Sequence, residues 1–78
     1  MTVTAYVLIQ TEIGKAAAVA REVASVPGVL DADDVTGPYD VIVKAEADSV
    51  DQLGTMVVAK MQRIAGITRT LTCPIVHP

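Results

Sequence analysis

Four residues near the middle of the chain, Gly37-Pro38-Tyr39-Asp40, combine turn-forming types with side chains able to hold a small molecule. Gly37 lets the backbone come close to a ligand. Pro38 fixes its own φ and stiffens the loop. Tyr39 can wall a pocket and offer its hydroxyl. Asp40 can pair with an ammonium group through a charge-assisted hydrogen bond. The same four residues also read as a plain turn in which Asp40 bonds local backbone. A second set is Thr68, Thr70 and Thr72, which alternate and so share one face of a strand. Their hydroxyls could contact the polar end of a ligand, or they could reflect threonine's preference for a half-wet edge strand.

Other chemistry-bearing residues point to structure. Asp31, Asp33 and Asp34 fall short of a hard-metal cage, which takes about six or more oxygen ligands, and read as a solvated strand edge. Cys73 has no Cys or His at useful spacing and reads as a small buried hydrophobe. His77 lies one residue from the end of the sequence, where fraying is the default. No metal or cofactor is expected. Met56 and Met61 read as helix-face packing.

The 78 residues read as one domain, 1–78, with one cysteine and hence no internal disulfide. A core this small rarely supplies more than about 3–5 kcal/mol. With 51% hydrophobic residues and a mean hydropathy of +0.46, part of the surface is expected to be buried in a partner. Net charge is -3, from 6 basic and 9 acidic residues. There is no basic stripe and no set of stacking aromatics, which argues against direct nucleic-acid binding. No apolar run approaches a membrane span. The start Met1-Thr2-Val3-Thr4 lacks the basic region of a signal peptide. The expectation is a cytoplasmic protein.

The elements that position these residues follow from hydrophobic patterning. Residues 3–11 read as a strand apolar on both faces, hence central. Ala16, Val19, Ala20 and Val23 recur at helical spacing after Gly14, and Pro27-Gly28 stops that helix. Residues 29–36 and 41–47 read as strands. Ser49 with Gln52 three residues on matches a capping box, ahead of the stripe Val50, Leu53, Val57, Met61 and Ile64. Gly54 weakens this second helix by roughly 1 kcal/mol against Ala, and Gly66 ends it. Residues 67–76 form the last strand, which Pro74 confines to an edge or a bulge. Val26-Pro27-Gly28-Val29 recurs as Ile64-Ala65-Gly66-Ile67, an offset of 38 residues that also places Val3 on Val41. Duplication of a β-α-β unit accounts for both.

The order β-α-β-β-α-β with right-handed crossovers gives an α+β, ferredoxin-like sandwich. Its antiparallel sheet runs 4-1-3-2 with both helices on one face. Either Tyr6 and Leu8, or Val3, Val7 and Ile9, then point to the uncovered face. Packing that face on a second copy would make a two-fold dimer of the α+β barrel type.

Several pieces together resemble the ligand-binding domain of the Lrp/AsnC family of transcription regulators, the domain for regulation of amino-acid metabolism. They are Ala5-Tyr6-Val7-Leu8-Ile9, Val26-Pro27-Gly28-Val29, Val35-Thr36-Gly37-Pro38-Tyr39-Asp40 and Gly66-Ile67-Thr68-Arg69-Thr70-Leu71-Thr72. The resemblance covers nearly the whole chain in order, and Gly-x-Tyr-Asp between two strands is its most specific piece. Family members normally carry a helix-turn-helix domain ahead of this one. This sequence starts at the first strand, so a stand-alone sensor without the DNA reader is expected. The resemblance implies homodimers formed through the sheets, higher rings, and an amino-acid effector bound between dimers near the Gly-x-Tyr-Asp loop. It places candidate effector contacts on Gly37, Pro38, Tyr39 and Asp40, with Thr68, Thr70 and Thr72 beside them. Full-length regulators of the family are candidate partners.

The expected function is therefore a non-enzymatic effector sensor that modulates transcription through other proteins. One rival is a small dimeric α+β-barrel monooxygenase or isomerase. Such sites use Asn, Trp or His over the sheet, whereas this chain has no Asn or Trp. Another is an amino-acid-binding domain resembling the ACT family, with Gly14 in place of its loop glycine. A metallochaperone of this fold needs a Cys-x-x-Cys pair and is excluded. A purely structural assembly subunit is the remaining alternative.

Overall fold

A computed structural model describes residues 2–76. His77 lies outside the described residues, as does the side chain of Met56. The elements run β1 (Val3–Thr11), α1 (Ala16–Ala24), β2 (Val29–Asp34), β3 (Val41–Ala47), a helical segment α2 over 50–61, and β4 (Ile67–Pro74). The strands form one sheet in the order β2-β3-β1-β4, with every neighbouring pair antiparallel. This is the expected 4-1-3-2 arrangement read from the other edge.

The core follows from strand alternation. Ala5, Val7 and Ile9 of β1 and Val41, Val43 and Ala45 of β3 point to the same side and are fully buried. Val19, Ala20 and Val23 of α1 close over them, with Leu53, Val57 and Met61 of α2. Both helices thus cover one face. The opposite face carries Tyr6, Leu8, Ile42 and Leu71, so the first of the two facings left open by the sequence holds. Leu71, Leu8 and Ile42 line up across β4, β1 and β3, and Tyr6, Ile42 and Leu71 remain 43%, 38% and 42% exposed. Among the described residues, no helix is long and apolar enough to cross a membrane.

Four expectations need correcting. The second strand stops at Asp34 rather than 36, because Val35 N–H turns away to the Asp40 carbonyl at 2.8 Å. The last strand ends at Pro74, although Ile75 N–H still reaches the Thr4 carbonyl at 2.9 Å. Val50 is 60% exposed and leaves the apolar stripe, since it occupies the first position after the Ser49 cap. Cys73 is exposed rather than buried, because it stands opposite Tyr6 on the uncovered face.

The middle of α2 is a π-helix over Leu53–Val58. Leu53, Val57 and Met61 are spaced by four, more than one 3.6-residue turn, so a straight α-helix would carry them progressively round its axis. The wider π turn absorbs the excess and keeps all three on the core. Ser49 accepts from Gln52 N–H at 3.1 Å, as its capping role requires.

The internal repeat is real in three dimensions. Gly28 and Gly66 both sit at φ 98°. Their carbonyls accept from Glu46 N–H (2.7 Å) and Glu12 N–H (2.8 Å). Each following strand skips one residue in its ladder, Leu30 in β2 and Thr68 in β4. These pairs keep the 38-residue offset, whereas Glu12 and Glu46 are 34 apart. The strand equivalence therefore differs from the Val3-on-Val41 alignment, and the longer second helix takes up the difference.

Candidate functional site

The two candidate sets converge on the end of β1. Val41 pairs with Ile9, so the loop before β3 returns beside Ile9–Thr11. Gly37 sits at φ 149°, a region that favours glycine, and a Cβ there would meet nothing within 4 Å. Asp40 makes three bonds. Its N–H donates to the Ile9 carbonyl at 2.9 Å, its carbonyl accepts from Val35, and its Oδ2 accepts from Thr11 N–H at 2.8 Å. The Gln10 side chain donates to the Pro38 carbonyl at 3.1 Å. The carboxylate thus bonds backbone, but on β1, 29 residues away, rather than within its own turn as the plain-turn reading describes. Tyr39 and Asp40 are half-buried, and Gly37 and Pro38 are exposed.

On the other flank of β1, Thr70 stands opposite Ile9 and Thr72 opposite Val7. These threonines follow the helix-covered side at the margin of the core. Thr68 sits in the β4 bulge, and its hydroxyl donates to the Gln10 carbonyl at 3.1 Å. Gln10 and Thr11 thus link Gly37–Asp40 to Thr68 and Thr70, while Thr72 lies further along β4. The Gln62 amide donates to Thr70 Oγ1 at 3.0 Å.

A depression of about 180 Å³ opens here, lined by Gln62, Ile67, Thr68, Arg69 and Thr70. Tyr39 and Asp40 are not among its walls. Sequence reading missed Gln62 and Arg69 as site residues. Gln62 is set against Thr70 only by the fold. Arg69 carried a visible signal: every acidic residue precedes position 52, leaving Lys60, Arg63 and Arg69 as the charged side chains that follow. The depression lies in that acid-free segment.

Residues 4–77 match the family model described as the Lrp/AsnC ligand binding domain. An uncharacterized HTH-type transcriptional regulator of Pyrococcus furiosus is 33% identical over 54 residues, 69% of this chain. The matched stretch spans 36% of that regulator's length. The crystal structure of a hypothetical protein from Pyrococcus horikoshii superposes with a TM-score of 0.86 at 32% identity, covering 100% of this chain and 93% of the other. A transcriptional regulator of Neisseria meningitidis, solved in complex with L-Met, shares the fold with a TM-score of 0.79 at 17% identity. There the match covers 96% of this chain and 50% of the other.

Proposed function

The chain belongs to the Lrp/AsnC ligand-binding-domain family, and on that premise we propose that it senses an amino-acid effector and modulates transcription through other proteins. One observation carries this reading. Gly37–Asp40 and Thr68–Thr70 are held on opposite flanks of the same β1 segment, joined through Gln10 and Thr11. A small molecule contacting both flanks would be read by a loop and an edge strand at once. The L-Met complex of the Neisseria regulator supports an amino acid as the ligand class. The apolar row Leu71, Leu8 and Ile42 on the uncovered sheet face supports a homodimer, with ring assemblies and full-length regulators as further partners. An effector bound where subunits meet would couple its occupancy to assembly by linkage. This is a regulatory role without catalysis, placed in the cytoplasm.

The test is a thermal-shift screen of the standard amino acids at millimolar concentration. Ligand at about 100 times its dissociation constant stabilises by about 2.7 kcal/mol. In a chain this short that raises the midpoint by roughly 10 °C or more. A rise confined to one class of amino acid is the expected result. No rise with any of them overturns the reading and leaves an assembly role.

A further inference from the structure

We infer that the two edges of the sheet fit each other, so that β4 of one copy takes β2 of a second copy as its next strand. The ring assemblies proposed above need a contact beyond the sheet-face dimer, and this joint supplies one. It does not depend on the effector. Three observations support it.

The first is backbone geometry. The sheet ends at β2 on one side and at β4 on the other. β1 runs antiparallel to both β3 and β4, and β3 runs antiparallel to β2, so β2 and β4 run in opposite directions. A copy shifted sideways along the sheet therefore offers its β2 antiparallel to β4. In an antiparallel ladder alternate residues of a strand bond the same neighbour. Ile75 N–H donates to the Thr4 carbonyl, and Glu46 N–H donates to the Gly28 carbonyl. By alternation Arg69, Leu71 and Cys73 bond inward to β1, and Asp31 and Asp33 bond inward to β3. The backbone groups of Thr70 and Thr72 on β4, and of Ala32 and Asp34 on β2, then face outward. These four residues stand opposite Ile9, Val7, Val43 and Val41, which all point into the core. The two edges thus match in direction and in pleat, and the joined sheets keep their helices in one layer.

The second is charge. β2 carries Asp31, Asp33 and Asp34, whereas Arg69 is the one charged residue of β4. Pairing Thr70 with Ala32 of the second copy sets Arg69 directly opposite Asp33 of that copy, on the helix-free face. Asp31 of the second copy is then its diagonal neighbour. Opposite charges across a strand pair favour it, and like charges disfavour it. Two β2 edges would oppose their aspartates, and two β4 edges would have no acid to offer. The aspartates thus block one self-pairing and select the other edge as partner.

The third is regularity. The ladder skips Leu30 and Thr68, but the pairing is regular over 31–34 and 69–74. The register above joins Asp31–Asp33 to Arg69–Leu71, inside both regular stretches. The joint brings different surfaces together, so it repeats from copy to copy into a ring or a filament. It leaves the helix-free face open for the sheet-face dimer.

The experiment is sedimentation velocity over a range of concentrations with wild type, Arg69→Asp, Asp33→Arg and the double variant. Arg69 and Asp33 are exposed, so the thermal midpoint of each variant should stay with that of wild type. Wild type should form species larger than a dimer. Each single swap sets like charges across the joint and should raise the concentration those species require about tenfold. The double variant restores opposite charges and should bring that concentration back. Wild type that never exceeds a dimer overturns the joint and leaves the effector reading standing. Larger species that ignore both single swaps, or a double variant that stays dissociated, also overturn it.

Discussion

The turn after α1 and the turn after α2 are two versions of one structure. Each places a glycine at φ 98° against the helix of the other half. A Cβ built on Gly28 would fall 2.8 Å from Val57 Cγ2, and one on Gly66 would fall 3.2 Å from Val19 Cγ2. Val19 and Val57 are themselves related by the 38-residue offset, so the contact is reciprocal. Beyond the turns the halves part. Leu30, Asp31 and Ala32 follow Gly28, whereas Thr68, Arg69 and Thr70 follow Gly66. Repetition fixed a backbone twice, and the divergence of a few side chains left the second copy with two threonines and an arginine where the first has Leu30, Asp31 and Ala32.

Alanine at the two glycines tests the reciprocity and should give the largest effects. Both changes force a side chain into a left-handed conformation, which costs roughly 1–2 kcal/mol. Gly28→Ala adds a Cβ only 2.9 Å from the Glu46 carbonyl oxygen, a backbone atom that cannot swing aside. Gly66→Ala meets only side-chain atoms, at 3.2 Å and beyond. Urea unfolding should show Gly28→Ala losing about 3 kcal/mol or more, and Gly66→Ala about 1–2 kcal/mol. Equal losses would mean that φ alone decides, and the tighter approach in the first half would carry no energetic weight.

Asp40 sits where the halves join, and its carboxylate holds Thr11 N–H at 2.8 Å. Asp40→Ala should cost about 1.5–2 kcal/mol in thermal or urea unfolding, as expected for a hydrogen bond to a charged group. Asp40→Asn, which keeps an acceptor, should cost less than half of that. A neutral Asp40→Ala would free this residue from any structural duty and leave ligand contact as its one role.

The central strands were legible because their alternation is strong. Residues 3–11 and 41–47 match β1 and β3 at both ends, since each buries one face completely and a one-residue slip would expose it. The edges were less legible. β2 ends two residues early because Val35 finds a loop carbonyl, a choice that depends on where Asp40 sits. The π turn was hidden for a similar reason. Local propensity marks Gly54 as a weak point, but only packing of Leu53, Val57 and Met61 on one core selects the wider turn. At the candidate site, the loop residues could be named by type, while Gln62 could not, because its partner Thr70 is brought to it by the sheet. Cys73 was misjudged because burial depends on which sheet face the helices cover.

The helix starts give a further contrast. Ser49 has extended backbone angles, φ -148° and ψ 164°, and caps α2 through its hydroxyl. Lys15 begins α1 at φ -105° and ψ -4°, with no side-chain cap. Ser49→Ala should cost about 1 kcal/mol in urea unfolding. Lys15→Ser should gain nothing, because a capping hydroxyl reaches the first turn only from an extended backbone. A gain there would show that α1 can be rebuilt into a copy of α2.

The smallest expected effect lies at the bulge. Thr68 ties its hydroxyl to the Gln10 carbonyl at 3.1 Å, while the equivalent Leu30 forms the same bulge with no hydroxyl to give. Thr68→Val keeps the shape and removes that bond. Because the bond is exposed, water replaces it, and the cost should stay below about 0.5 kcal/mol in thermal unfolding. The same variant should weaken amino-acid binding measured by calorimetry, because Leu30 shows that the bulge itself asks for no oxygen. A loss above about 1.5 kcal/mol with unchanged binding would reverse the assignment. Thr68 would then be a strut of the second half, and the two halves would differ in how they fold rather than in what they hold.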